Sequence, residues 1–123
     1  EKQKPQVSVK LIKDNLDQLI SKVGEDHPEV LNRLSELIFY QQIAKLLPDA
    51  ADSFELALQI QKRNFGHDHS EVLETMHNLA GVYGLLDRKK KANNLLREIR
   101  LIQAGGNPRD KDILFENSPG SRN

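Results

Sequence analysis

Two short phrases that are rich in His, Asp and Glu recur in this chain, and side chains of these three types can bind metal ions or transfer protons. The phrase GEDHPEVL begins at residue 24 and GHDHSEVL begins at residue 66, so they lie 42 residues apart and agree at six of eight positions. The second copy places His67, Asp68 and His69 side by side, and His77 follows about two helical turns later. The phrase therefore predicts either a duplicated chemical site or a recurring structural turn.

A zinc ion requires three or four side chains that converge on one point. We expect His67 and His69 to lie in a turn and His77 to lie on a helix face, so that these side chains do not converge. A helix start explains the same residue types, and we expect the rings of His27 and His69 to pack against their neighbouring turns. We therefore predict no metal site and no cofactor.

The chain contains no recognisable catalytic motif. Glu71 and Glu74 are three residues apart on a polar helix face, and Gly105-Gly106 ends a helix without opening another. The sequence has no glycine-rich phosphate loop, no nucleophile elbow and no cysteine. We therefore predict that the protein is not an enzyme.

The elements that position these residues are predicted to be helices. Hydrophobic residues make up 37% of the chain and charged residues 29%, which favours a soluble protein with a thin, elongated core. Apolar residues recur at spacings of three and four, and no stretch alternates as a strand would. We expect Gly24 and Gly66 to end helices with a left-handed backbone, and the Leu-Pro-Asp stretch at 47–49 to separate two helices. Five helices are predicted, at about 8–23, 28–46, 49–64, 70–86 and 88–104.

The repeated phrase also has a mechanical interpretation as a helix start. Asp26 precedes Glu29 by three residues, and Asp68 precedes Glu71 by three, which is the spacing of a capping box. In this hypothesis each Asp accepts a hydrogen bond from a first-turn amide and each Glu reaches back. Pro28 fits the first turn, because an amide at that position has no helical partner to lose.

The 42-residue shift extends beyond the two phrases. Apolar positions recur at this shift, namely Leu16 with Leu58, Leu34 with Met76, Leu37 with Leu79, Ala50 with Ala92, Phe54 with Leu96 and Ile60 with Ile102. A helix–turn–helix unit of this kind buries its apolar face by stacking on the next unit. We predict an all-α solenoid of antiparallel helix pairs, with an N-terminal extension at 1–7, a helical domain at 8–104 and a flexible tail at 105–123. Within the domain we expect a solitary helix at 8–23, a first unit at 28–64 and a second unit at 70–104.

Residues 76–83, which read MHNLAGVY, resemble the tetratricopeptide repeat, together with Ala92, Leu96 and the Gly-x-Asp-His turn at Gly66. The 42-residue length and the stretches at 58–63 and 65–69 resemble the long repeats of kinesin light chains and nephrocystin-type proteins. The resemblance covers about residues 8–104. It implies a TPR-like α-solenoid that acts in protein–protein interaction, as a scaffold or a subunit of a larger complex.

The resemblance also implies a groove, which the first helix of each unit lines and which takes a partner peptide. Carried over by position, this groove face consists of Asn32, Ser35, Glu36, Phe39, Glu74, His77, Asn78, Gly81 and Leu85. Asn78 matches the family asparagine that can hydrogen-bond a peptide backbone. The positions that would hold a terminal carboxylate carry Asn32, Ser35, Glu74 and His77 rather than Lys or Arg, so we expect no carboxylate clamp.

Two further surfaces are candidate partner sites. Arg88, Lys89, Lys90 and Lys91 form a basic run at a helix start, and residues 88–100 carry a net charge of plus five. This run predicts, as an alternative function, binding to nucleic acid or to an acidic protein surface. Nucleic acid is the less favoured partner, because eighteen basic residues balance eighteen acidic ones over the whole chain.

The tail contains an apolar triplet, Ile113, Leu114 and Phe115, within a stretch rich in Gly, Pro, Asn and Ser. It is either an incidental apolar spot or an anchor for a partner, for another copy or for the groove. We expect a protein partner or a homo-oligomer, no membrane span, and an intracellular, cytoplasmic location, with a processed organellar chain as the alternative.

Overall fold

A computed structural model describes residues 5–105 of the chain. Within these residues all regular structure is helical, in the order α1 Pro5–Val23, α2 Pro28–Ile43, α3 Leu47–Phe65, α4 Ser70–Leu85 and α5 Lys89–Gln103. Each helix packs chiefly against its neighbours in the chain. Connections of three or four residues make such neighbours antiparallel, so the predicted all-α solenoid of five helices is confirmed.

The buried residues repeat with the predicted 42-residue shift. Leu34 and Met76 occupy equivalent places in the two units and are at most 1% exposed. The same holds for Val30 and Val72, both of which are 0% exposed. Burying a side chain of this size stabilises a fold by about 1.5–3 kcal/mol, so these equivalent positions hold each unit to its neighbour.

The start of α2 and of α4 differs from the predicted capping boxes. His27 and His69, not Asp26 and Asp68, are the N-cap residues. The Nδ1 atom of each histidine accepts a hydrogen bond from the amide two residues later, at 3.1 Å in both units. The prediction was wrong by one residue, because only a side chain at the N-cap position reaches the orphan amides of the first turn. Glu29 lies in the first turn of α2, where its negative charge interacts favourably with the positive end of the helix dipole.

The predicted helix ends at the two glycines are confirmed. Gly24 has a φ of +87° and Gly66 a φ of +93°, a region that suits residues without a Cβ atom. The amide of Gly66 donates to the carbonyl of Lys62 at 3.0 Å, and the amide of Gly24 donates to the carbonyl of Ile20 at 2.8 Å. Both glycines therefore close the last turn of their helix in the same way.

The predicted break at residues 47–49 is wrong, because Leu47 and Pro48 already belong to the first turn of α3. Proline is favourable at that position, since it removes no helical hydrogen bond. The chain turns instead at Lys45, which has a φ of +63°, and the equivalent Asp87 has a φ of +60°. Helix α1 also begins earlier than predicted, at Pro5, which is again a favoured starting residue.

The two turns have the same hydrogen bonds although their residues differ. The amide of Leu46 donates to the carbonyl of Gln41 at 2.9 Å, and the amide of Arg88 donates to the carbonyl of Tyr83 at 2.8 Å. Donors and acceptors are each related by the 42-residue shift. The backbone therefore repeats more faithfully than the sequence does at these turns.

Candidate functional site

The predicted groove face lies on α2 and α4, on the side away from the buried stripes. All nine of its residues are exposed in the structure. Phe39 is 57% exposed and Leu85 is 75% exposed, which leaves two large apolar side chains on this face. Exposed apolar side chains near polar ones are common where proteins bind partners.

An open cavity of about 290 Å³ lies between α2, α3 and α4. Ser35 and Phe39 of α2 line it together with Glu74 and Asn78 of α4. We call this the α2–α4 cavity. It brings together four of the nine predicted groove residues, while the other five, Asn32, Glu36, His77, Gly81 and Leu85, lie outside its lining.

Helix α3 contributes residues to this cavity that the sequence did not predict as site residues. Phe54 and Ala57 belong to the buried apolar face of α3, and both also line the cavity. Gln61 lies beside them and is 9% exposed. A glutamine on an otherwise apolar helix face is the sequence signal that could have found it.

Gln61 has an unusual hydrogen-bonding state. Its Oε1 atom is buried and has no hydrogen-bond partner among the described residues. Buried carbonyl oxygens in folded proteins nearly always accept a hydrogen bond. Gln61 therefore places an unpaired acceptor in a residue that lines the α2–α4 cavity.

The charge of the α2–α4 cavity is negative. Glu71 and Glu74 are its two acidic lining residues, and neither lysine nor arginine lines it. A terminal carboxylate would meet two like charges there without a cation to hold it. The cavity chemistry instead suits neutral or basic segments, with N–H donors for the amide oxygen of Asn78 and the carboxylate of Glu74.

Of the histidines at positions 67, 69 and 77, His69 makes two structural contacts. The ring of His69 packs against the ring of Phe65 with a centroid distance of 4.8 Å, as expected for a ring against its neighbouring turn. Its Nδ1 atom accepts the capping hydrogen bond of α4. Among the residues that the structure describes, no three His, Asp or Glu side chains are placed to hold a metal ion.

The predicted basic run spans the turn before α5 and its first residues. Arg88 is the N-cap residue and makes no side-chain capping bond. The Nζ atom of Lys89 lies 3.8 Å from Oδ1 of Asp87, and both side chains are strongly exposed. The ammonium of Lys91 lies 5.5 Å from the centre of the Tyr83 ring, so this lysine points to a different neighbour.

The apolar triplet of the tail, Ile113, Leu114 and Phe115, lies outside the described residues, as do residues 1–4 of the predicted N-terminal extension. Within residues 5–105, no helix combines the length and the apolar character that crossing a bilayer requires.

Comparison with known proteins gives one family. A sequence model described as tetratricopeptide repeat matches residues 34–100, which is more than half of the 123-residue chain. The matched region runs from the middle of α2 to near the end of α5. It therefore includes the part of α2 from residue 34 onward and the whole of α4, and Asn32 lies outside it. No curated protein matches the chain significantly.

Proposed function

This chain belongs to the tetratricopeptide repeat family, and we propose that it is a scaffold module that binds an extended segment of a protein partner in its α2–α4 cavity. Repeats of this family generally mediate protein–protein interaction, and the family is typically non-enzymatic.

The observation that supports this proposal most strongly is the composition of the α2–α4 cavity. An exposed aromatic ring from Phe39 lies in the same lining as the carboxamides of Gln61 and Asn78. Amides of this kind can pair with the backbone of an extended peptide, as a neighbouring strand would, while an aromatic ring takes an apolar side chain. Glu71 and Glu74 add a preference for basic over acidic segments.

We also propose that the chain is of the long-repeat type found in kinesin light chains and nephrocystin-type proteins. The usual tetratricopeptide unit has about 34 residues. Here the histidine caps, the glycine ends and the turns at Lys45 and Asp87 all recur after 42 residues. This spacing supports the long type and a division of the helical region into one solitary helix, α1, followed by two helix pairs, α2 with α3 and α4 with α5.

A second candidate function uses the basic run at Arg88, Lys89, Lys90 and Lys91. Helix α5 begins with three lysines and has no acidic residue in its first turn. Cations at this end oppose the helix dipole, so the arrangement costs stability and suggests a role in binding an acidic partner surface or nucleic acid. If nucleic acid binds there, its affinity should fall steeply with salt and vanish when the lysines are changed to glutamine.

The proposed function is tested by affinity capture from cell extract with quantitative mass spectrometry. The double variant Phe39→Ala and Asn78→Ala changes two exposed residues of the cavity and should release the captured partner. Leu11→Ala is the matched control, because Leu11 is also exposed, at 54%, but lies on α1. Equal capture by all three proteins would contradict a role for the cavity.

A further inference from the structure

The first unit contains a second cavity, on faces of α2 and α3 that the α2–α4 cavity does not use. It has a volume of about 300 Å³ and lies between α1, α2 and α3, and we call it the α1–α3 cavity. Leucines from the three helices, including Leu16, Leu37 and Leu56, form its apolar part. It shares no lining residue with the α2–α4 cavity. The two sites can therefore be tested separately.

The second unit has an equivalent cavity at the 42-residue shift, between α3, α4 and α5. There the hydroxyl of Tyr83 hydrogen-bonds the carboxylate of Glu55. The ammonium of Lys91 lies over the same ring, at 5.5 Å from its centre. In the second unit, the polar groups at this place are thus paired within the chain.

None of these three partners is present in the first unit. Gln41 replaces Tyr83, Lys13 replaces Glu55, and Asp49 replaces Lys91. The pairing of the second unit cannot form with these residues. The first unit keeps the cavity and changes the chemistry of its lining.

Gln41 is left without a partner in this cavity. It is only 3% exposed, and its Oε1 atom has no hydrogen-bond partner among the described residues. Gln41 lines the α1–α3 cavity, so this unpaired acceptor belongs to the wall of that cavity. Buried amide oxygens in folded proteins nearly always accept a hydrogen bond, so this oxygen is an acceptor available to an N–H donor of a bound group.

The charged residues around the α1–α3 cavity are Lys13, Asp17, Asp49 and Asp52, which gives one positive and three negative charges. The Nζ atom of Lys13 lies 3.7 Å from Asp17, so these two charges offset each other. Asp49 and Asp52 form no ion pair within the described residues. The cavity therefore combines an apolar wall, an unpaired buried acceptor and two unpaired carboxylates.

We propose that the α1–α3 cavity binds an arginine side chain presented by a partner protein. The aliphatic stem of arginine would pack on the leucines, as such stems do on apolar surfaces. Its planar head carries five N–H donors, which match the three acceptors of the lining, namely the carboxylates of Asp49 and Asp52 and the Oε1 atom of Gln41. This site goes beyond the proposed function, because it lies on another face and recognises one side chain rather than a backbone.

The test compares two blocked pentapeptides, Gly-Gly-Arg-Gly-Gly and the same peptide with citrulline, which keeps the shape of arginine and removes its charge. Each is titrated into the full chain while backbone and side-chain amide resonances are followed by NMR. We expect the arginine peptide to shift the resonances of Gln41, Asp49 and Asp52. The citrulline peptide should bind about tenfold more weakly or worse, because charge-assisted hydrogen bonds are lost. Equal affinity of the two peptides would overturn the proposal.

Matched variants distinguish this cavity from the other acidic one. Asp49→Asn with Asp52→Asn should abolish the arginine-specific shifts, whereas Glu71→Gln with Glu74→Gln, which neutralises the α2–α4 cavity, should leave them unchanged. The reverse pattern would overturn the proposal and leave the proposed function intact. A further outcome would also overturn the proposal. If the chain self-associates and the Asp49→Asn with Asp52→Asn variant does not, the cavity binds a second copy of the chain.

A swap variant uses the second unit as its template. Lys13→Glu with Gln41→Tyr introduces the residues that form the Tyr83 and Glu55 pair. The variant should fill the cavity, stay folded and lose the arginine-specific shifts. A folded swap variant that binds the arginine peptide as well as the wild type would contradict the role of Gln41.

Discussion

Arg63, near the end of α3, donates two hydrogen bonds to one carboxylate oxygen of Asp26 in the turn between α1 and α2. The distances to Oδ1 are 3.0 Å from Nε and 2.7 Å from Nη2. Nη2 also donates to Glu25 at 2.9 Å, and the side chain of Asn64 donates to the backbone carbonyl of Asp26 at 3.2 Å. Glu25 and Asp26 of the first repeated phrase therefore hold the turn between α1 and α2 against the end of α3.

This relationship gives the first prediction. Arg63→Gln should loosen the turn at residues 24–27, because the turn loses its contacts to α3. Amide hydrogen exchange at these residues should become faster, and the effect should shrink in about 1 M salt, where charges are screened within about 3 Å. Arg33→Gln is the matched control, since the partners of Arg33 lie on its own helix. Equal exchange in both variants would contradict the role given to Arg63.

The same contact predicts how stability responds to pH. The hydrogen bond to Asp26 is the main cause that raises the pKa of Arg63, and Glu25 adds to it. A raised folded-state pKa stabilises the fold at every pH below the ordinary value of arginine, and the gain is lost only as pH rises through the folded value. The stability difference between wild type and Arg63→Gln should therefore stay constant from about pH 7 to pH 9 in urea titrations. A stability difference between the two proteins that disappears between pH 7 and pH 9 would contradict the role of the Arg63 charge.

The histidine caps give the third prediction. His69→Ala should destabilise the fold by about 0.5–2 kcal/mol, because the amide of Glu71 loses its acceptor. His69→Asp should be close to wild type, since aspartate is a preferred cap at the same position. Urea unfolding measures both variants. A loss in His69→Asp as large as in His69→Ala would show that the Phe65 ring contact, rather than the cap, is what His69 contributes.

Two glycines predict opposite effects of adding a methyl group. Gly66→Ala should destabilise the fold by about 1–3 kcal/mol, because a φ of +93° with a ψ of 157° lies in a region that is essentially restricted to glycine. Gly81→Ala should stabilise it by about 0.5–1 kcal/mol, because Gly81 lies inside α4 and an added Cβ meets no atom within 4 Å. Thermal unfolding of the two variants checks both signs. A stable Gly66→Ala protein would mean that this turn can adopt another backbone.

The helices were predictable because apolar residues recur with helical spacing. Residues such as Val30, Leu34 and Leu37 lie on one side of α2, and this is the side that the structure buries. The turn at Lys45 was not, since lysine seldom adopts a positive φ and tertiary packing decides it there. The caps were placed one residue early, because Asp and His are adjacent and only the structure shows which one precedes the helix. The sequence indicated both as helix-start residues but not their separate roles.

The candidate site was predictable on α2 and α4 but not on α3. The resemblance predicted nine groove residues on these two helices, and the cavity gathers Ser35, Phe39, Glu74 and Asn78 but not the other five. Gln61 was missed because its contribution depends on how α3 packs between the other two helices, and local sequence does not encode that packing. The α1–α3 cavity was missed for the same reason, since its lining comes from three helices and the lack of a partner for Gln41 is visible only in the packed structure.

The most direct test of the proposed groove is hydrogen exchange of the full chain, free and bound to the partner that affinity capture identifies. We predict slower exchange on binding at residues 35–39 and 74–78, which contain the α2 and α4 lining of the cavity. The basic run at 88–91 and the tail triplet at 113–115 should be unchanged. Protection confined to either of those two segments, with no change at 35–39 and 74–78, would contradict the proposal that the α2–α4 cavity binds the partner.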